Sequence, residues 1–118
     1  MYTLSHQQRV RVCKALLSLI DYRHLWTSEG PTAEAKAYLD QYGGPMSNSQ
    51  WILYQVAWLV WGRPADVKVQ EVMHLPAPYA KLAISLLNSL ATDGAAVDKW
   101  LSGFEHSKVS SAALHRIN

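Results

Sequence analysis

The sequence predicts an all-α fold, an irregular single-domain bundle of about five to six short helices around a central hydrophobic helix at about residues 49–62. The strongest observation is the segment from Trp51 to Trp61, WILYQVAWLVW, in which only Gln55 is strongly polar. Elsewhere apolar residues recur every three to four positions, which is the period of a helix. The central segment is shorter than the roughly 20 residues of a membrane-spanning helix, so we predict no membrane insertion.

Length and composition indicate one domain over residues 1–118. Hydrophobic residues make up 49% of the chain and charged residues 17%, as in a globular protein with a single core. Five Trp and six Tyr accompany a single Phe. The formal net charge of +2 is too small to predict binding to nucleic acid or anionic lipid by charge alone. The single cysteine and the absence of a secretory pattern at the N-terminus favour a cytoplasmic protein.

The first helix is predicted to begin at Ser5, because Ser5-His6-Gln7-Gln8 fits a capping box, and to run to about Arg23. Apolar residues at helical spacing form its wide buried face. They are Val10, Cys13, Leu16, Leu17 and Ile20. This pattern is typical of an amphipathic helix that packs on a core.

A second, alanine-rich helix is predicted from Pro31, a favourable residue for a first helical turn, to about Tyr42. The run Gly43-Gly44-Pro45 ends it. Its packing edge is expected to be narrow and partly buried. That edge contains Ala35, Tyr38, Leu39 and Tyr42.

The third helix is the central one, with Ser47 or Ser49 as its cap and Gly62 as its stop. At 100° per residue its large aromatic side chains fall within an arc of about 80°, and aliphatic side chains cover much of the opposite side. This aromatic arc consists of Trp51, Tyr54, Trp58 and Trp61. The aliphatic side is expected to face the core.

Residues 65–75 are ambiguous, because valines there fit both a strand and a helix. No second segment offers a strand partner, so we predict a short helix capped by Asp66.

After Pro76-Ala77-Pro78 a strong helix is predicted, which Thr92-Asp93-Gly94 closes. A last amphipathic helix follows. Its apolar stripe contains Val97, Trp100, Leu101 and Phe104. Residues 106–118 are expected to form a tail that frays or docks on a neighbour, with a weak turn near residues 111–117.

No compact signature of catalysis or metal binding is present in the sequence, and we predict neither a cofactor nor a metal site. Cys13 lies within the apolar face of the first helix, so we interpret it as a buried, unreactive thiol. The five histidines lack the spacing of a metal site, and no second cysteine accompanies them. A Gly-rich phosphate loop and a G-x-S-x-G turn are also missing, so we expect a non-enzymatic protein, with enzymes that lack such motifs left open.

The aromatic arc has a structural and a functional interpretation. Trp and Tyr most often pack at the edge of a core, but they are also enriched at interface hot spots. The leading hypothesis is a protein-binding domain that acts as an adaptor, inhibitor or regulatory subunit, with a homodimer through this helix face as one version. The candidate contact residues are Trp51, Tyr54, Trp58, Trp61 and Trp100.

Two alternatives stay open at this stage. The first is a pocket for an apolar small molecule, lined by Trp51, Tyr54, Trp58 and Trp100. The second is a nucleic-acid regulator that uses a basic patch on the first helix. That patch contains Arg9, Arg11 and Lys14. Three charges make a weak phosphate-binding surface, so the sequence favours protein binding over nucleic-acid binding.

Overall fold

A computed structural model describes residues 4–65 and 67–106. This part of the chain is mostly helical, with six α-helices, one 3₁₀ helix and one two-stranded hairpin. The α-helices are α1 (His6–Ser18), α2 (Ala33–Asp40), α3 (Asn48–Trp61), α4 (Val69–Met73), α5 (Ala77–Thr92) and α6 (Gly94–His106). The 3₁₀ helix is Arg23–Leu25, and the strands are β1 (Trp26–Thr27) and β2 (Gly30–Pro31). The predicted all-α class is confirmed.

Helix α3 lies at the centre and packs mainly along α1. The Ser47 hydroxyl accepts a hydrogen bond from Gln50 N, and the Gln50 side chain accepts one from Ser47 N, so a capping box fixes where α3 begins. Gly62 ends it with a φ of 116°, a conformation that glycine adopts without a Cβ penalty. The predicted limits of the central helix are therefore confirmed, with Ser47 and not Ser49 as its cap.

Helices α5 and α6 pack on each other and close the other side of the core, and α6 also contacts α1. Asp93 separates them and caps α6, because its carboxylate accepts a hydrogen bond from Ala96 N at 2.8 Å. The Tyr79 hydroxyl donates a hydrogen bond to Leu19 O at 3.2 Å, which ties α5 to the chain that follows α1. Both predicted helices are present.

Helix α1 is shorter than predicted. It begins after the Ser5 capping box but ends at Ser18 and not near Arg23. The chain turns at Asp21, whose φ is 65°, and Tyr22 N donates to Leu17 O at 3.0 Å. This turn still buries Leu19 and Ile20, so their apolar spacing resembles a longer helix although the helix has ended.

Helix α2 is displaced from its predicted start and end. Pro31 does not begin the helix: it pairs with Trp26 in a two-residue hairpin that the sequence did not predict. The Thr32 hydroxyl accepts a hydrogen bond from Ala35 N at 3.1 Å and therefore caps a helix that begins at Ala33. The helix ends at Asp40, which leaves Tyr42 outside it.

The segment after α3 forms a shorter helix than the predicted one over residues 65–75. Helix α4 has only five residues, and Lys68 precedes it, with Lys68 N donating to the Glu71 carboxylate at 3.1 Å. The cap predicted at Asp66 lies outside the described residues, as do residues 107–118 of the predicted tail. Helix α4 contacts α3 and α5.

Candidate functional site

The aromatic arc of α3 is covered in part by the protein itself. Tyr54 is fully buried and Trp58 is 3% exposed, whereas Trp51 and Trp61 are half-buried. Trp26, from the hairpin, supplies much of the cover. Its ring centroid lies 4.9 Å from that of Trp58 and 6.0 Å from that of Trp61, with edge-to-face geometry in both pairs.

A close backbone approach holds the hairpin against the arc. A Cβ added at Gly30 would lie 2.6 Å from Trp61 Cζ2, and Gly30 has a φ of 125°, so no other residue fits there without strain. The His6 ring contacts Trp61 edge-on at a centroid distance of 5.6 Å and reaches Ser28 O with Nε2 at 3.0 Å. The arc's C-terminal end is thus packed against the N-terminal part of the chain.

Tyr54 connects α3 to α2. Its hydroxyl donates a hydrogen bond to Ala35 O, and burial raises the pKa of this phenol to about 12. Its ring also contacts Tyr38 at a centroid distance of 6.5 Å. A buried ring with a satisfied hydroxyl is typical of a packing residue, so Tyr54 positions α2 without offering a surface of its own.

Trp100 is not brought to the other candidate aromatic residues. It lies between α5 and α6, where its ring stacks on Phe104 at a centroid distance of 5.4 Å. Its Nε1 donates to Ser85 Oγ at 3.0 Å. The structure therefore divides the predicted site into the α3 arc and a separate aromatic pair on α6.

The loop between α2 and α3 and the adjoining ends of both helices carry an aromatic surface that we call the aromatic corner. It consists of Tyr38, Tyr42, Met46 and Trp51. Three consecutive residues, 42–44, have positive φ values of 50°, 91° and 52°. Trp51 packs on the middle residue, and Tyr38 packs beside the third. Tyr42 is 84% exposed, while the other three are half-buried.

The sequence alone indicates only Trp51 of this corner. Tyr42 is predicted to lie on the packing edge of α2, because it continues that helix's apolar spacing. In the structure the helix ends before it, and the left-handed turn directs it into solvent. The glycines at residues 43–44 are the sequence feature that could have placed the helix end before Tyr42, because glycine commonly follows the end of a helix.

A groove of about 260 Å³ borders the aromatic corner. It is lined by Glu34, Ala37, Tyr38, Gln41 and Pro45. Its size suits a single side chain, and the Glu34 carboxylate in its lining favours a cationic group.

The three residues of the predicted basic patch of α1 do not all lie on one surface. Arg9 extends toward the end of α3, where Nη1 donates to Trp61 O at 3.4 Å. Arg11 pairs with the Glu105 carboxylate of α6 at 2.5 Å. Lys14 lines a groove together with Arg11 and Arg23, a residue that the prediction did not include. Arg11 and Lys14 therefore stay together as helical spacing predicts, whereas Arg9 turns toward α3 and Arg23 joins the other two.

Cys13 is buried, as predicted. Its Sγ donates a hydrogen bond to Ala57 O at 3.2 Å, and burial raises the pKa of the thiol far above its usual range. A buried thiol that stays protonated is a poor nucleophile.

We expect Cys13 in the native protein to resist a disulfide reagent such as dithionitrobenzoate and to react fully in about 6 M guanidinium chloride, where the chain is unfolded. Absorbance of the released thiolate measures both rates. Rapid labelling of the native protein, at a rate near that of a free thiol, would show that Cys13 is accessible.

Other chemistry receives no support from the part of the chain that the structure describes. No group of three or more His, Cys, Asp or Glu side chains in residues 4–65 and 67–105 is arranged to hold a metal ion. Within the same ranges no helix is both long and apolar enough to cross a membrane.

Comparison with known proteins adds no assignment to this geometry. No protein-family model, curated protein or solved structure matches the chain.

Proposed function

We propose that this protein is a non-enzymatic protein-binding module that contacts its partner through the aromatic corner. Tyr42 is the observation that carries the proposal. Its side chain is 84% exposed, and its φ of 50° lies in the left-handed region, which costs a residue with a Cβ about 1–2 kcal/mol. A strained residue that packs little against its own chain is typical of a functional position.

The surroundings of Tyr42 support this role. Backbone hydrogen bonds hold the loop, from Gly43 N to Tyr38 O at 2.8 Å and from Met46 N to Gly43 O at 2.9 Å. A surface held in one conformation loses little entropy when a partner binds. Tyr and Trp offer large contact areas with few rotatable bonds, and both are enriched among interface hot spots.

The most direct test places a photocrosslinking amino acid, p-benzoylphenylalanine, at position 42 in the protein's own host cells. The control places it at Ala91, which is also exposed but lies on α5. We expect a discrete adduct from position 42 only, and we expect Trp51→Ala in the same chain to reduce it. An adduct of twice the chain's mass would identify the partner as a second copy. Adducts of equal yield from both positions would contradict the proposal.

Substitution of Tyr42 separates binding from folding. Tyr42→Gly is expected to weaken binding of the crosslinked partner about tenfold or more, because a hot-spot aromatic is lost. The same change is expected to raise the free energy of unfolding by about 1 kcal/mol, because glycine tolerates the left-handed backbone. Urea denaturation measures the second effect. A lower stability with unchanged binding would assign Tyr42 a structural role and contradict the proposed one.

A further inference from the structure

A groove between α1 and α6 combines an apolar floor with cationic walls. Its volume is about 510 Å³, which is within the range of ligand-binding clefts. The buried side chains of Val10, Ala15 and Phe104 form the floor. The groove shares no lining residue with the groove at the aromatic corner, so binding here is independent of the function proposed for that corner.

The walls carry three cations and one carboxylate. Arg11 and Glu105 form the ion pair between the two helices, so their charges largely cancel. Lys14, from α1, and Arg23, from the 3₁₀ helix, form no ion pair with any described residue. The groove therefore has an excess of positive charge beside an apolar floor.

We propose that this groove binds an acidic segment of a partner protein, in which an apolar side chain is flanked by carboxylates. The apolar side chain would cover the floor, and the carboxylates would pair with Lys14 and Arg23. This surface is separate from the aromatic corner, and its positive charge favours acidic partners.

A protein segment fits the groove better than a nucleic acid does. Phe104 is 9% exposed and its ring stacks on Trp100, so it offers little surface on which a base could stack. Two unpaired cations also neutralise few phosphates, and phosphate contacts supply most of the affinity for nucleic acids. A segment with carboxylates on both sides of an apolar residue would contact the two cations and the apolar floor at the same time.

Fluorescence anisotropy with the full-length protein tests the proposal. The probe is the fluorescein-labelled peptide EEELEEE, and the comparison peptides are QQQLQQQ, which lacks the charges, and EEEGEEE, which lacks the apolar side chain. We expect the first peptide to bind about tenfold more tightly than either of the others. Equal binding of EEELEEE and EEEGEEE would show that the floor is unused and would overturn the proposal.

Protein variants locate the site. The double variant Lys14→Gln with Arg23→Gln is expected to weaken EEELEEE binding about tenfold. The matched control is Lys81→Gln with Lys99→Gln, which removes the same charge from exposed positions outside the groove, and it is expected to weaken binding less than about twofold. Equal losses in the two double variants would show attraction by net charge alone and overturn the assignment. A single-stranded oligonucleotide that displaces the peptide at lower concentration than unlabelled EEELEEE would also overturn it.

Discussion

Replacement of Trp58 by alanine is expected to lower the free energy of unfolding by about 3–5 kcal/mol. Trp58 is 3% exposed, and its ring packs edge-on against Trp26 from the hairpin and Tyr54 from its own helix. The variant loses the buried area of the indole and leaves a cavity that rigid aromatic neighbours do not readily fill. A loss of this size is a large part of the total stability of about 5–15 kcal/mol typical of a domain.

Urea denaturation, followed by circular dichroism, measures the effect. The matched control is Leu59→Ala at the next position of α3, where the side chain is 42% exposed and the expected loss is about 1 kcal/mol or less. Indole, which resembles the removed ring, is expected to raise the melting temperature of Trp58→Ala more than that of the wild type, because it can occupy the cavity. Equal losses for the two variants would contradict the core position of Trp58.

The helix ends that the sequence predicted correctly depend on a few adjacent residues. Ser47 with Gln50, and Gly62 with its left-handed backbone, are local devices whose geometry hardly changes with tertiary context. The end of α1 was predicted wrongly because buried apolar residues continue beyond it. Leu19 and Ile20 keep the apolar spacing of α1, but they reach the core through a turn.

The difference between local helix signals and packing in the folded chain also explains which residues of the site were predicted. The periodicity of α3 predicts that Trp51 lies on its aromatic side. In the same way the spacing of Arg11 and Lys14 on α1 predicts that they share one groove. Trp26 belongs to a segment without periodicity, so its contact with α3 is not visible in the sequence. Arg23 joins the groove from the 3₁₀ helix, a contact that only the packed chain reveals.

Replacement of Gly43 by alanine is expected to lower the free energy of unfolding by about 2–4 kcal/mol and to disrupt the aromatic corner. The added Cβ would lie 2.8 Å from Trp51 Cε3 and 3.1 Å from Cδ2. Those atoms lie near the base of the indole, which cannot move aside without displacing the ring. The φ of 91° adds backbone strain of about 1–3 kcal/mol for any residue with a Cβ.

Gly103→Ala is the matched control, because Gly103 lies in α6 and a Cβ there meets nothing within 4 Å. It is expected to raise the free energy of unfolding by about 0.5–1 kcal/mol, since alanine favours a helix interior. The two glycine variants therefore differ in the sign of their effect, and urea denaturation distinguishes them.

The emission of Trp51 gives a second measurement, by comparison of each variant with the same variant carrying Trp51→Phe. Because Trp51 and Tyr42 lie on either side of Gly43, a loss of partner binding in Gly43→Ala while the rest of the chain stays folded would show that the corner binds as a preformed unit. If Gly43→Ala were instead as stable as the wild type, with unchanged Trp51 emission, the close contact between the loop and α3 would be contradicted.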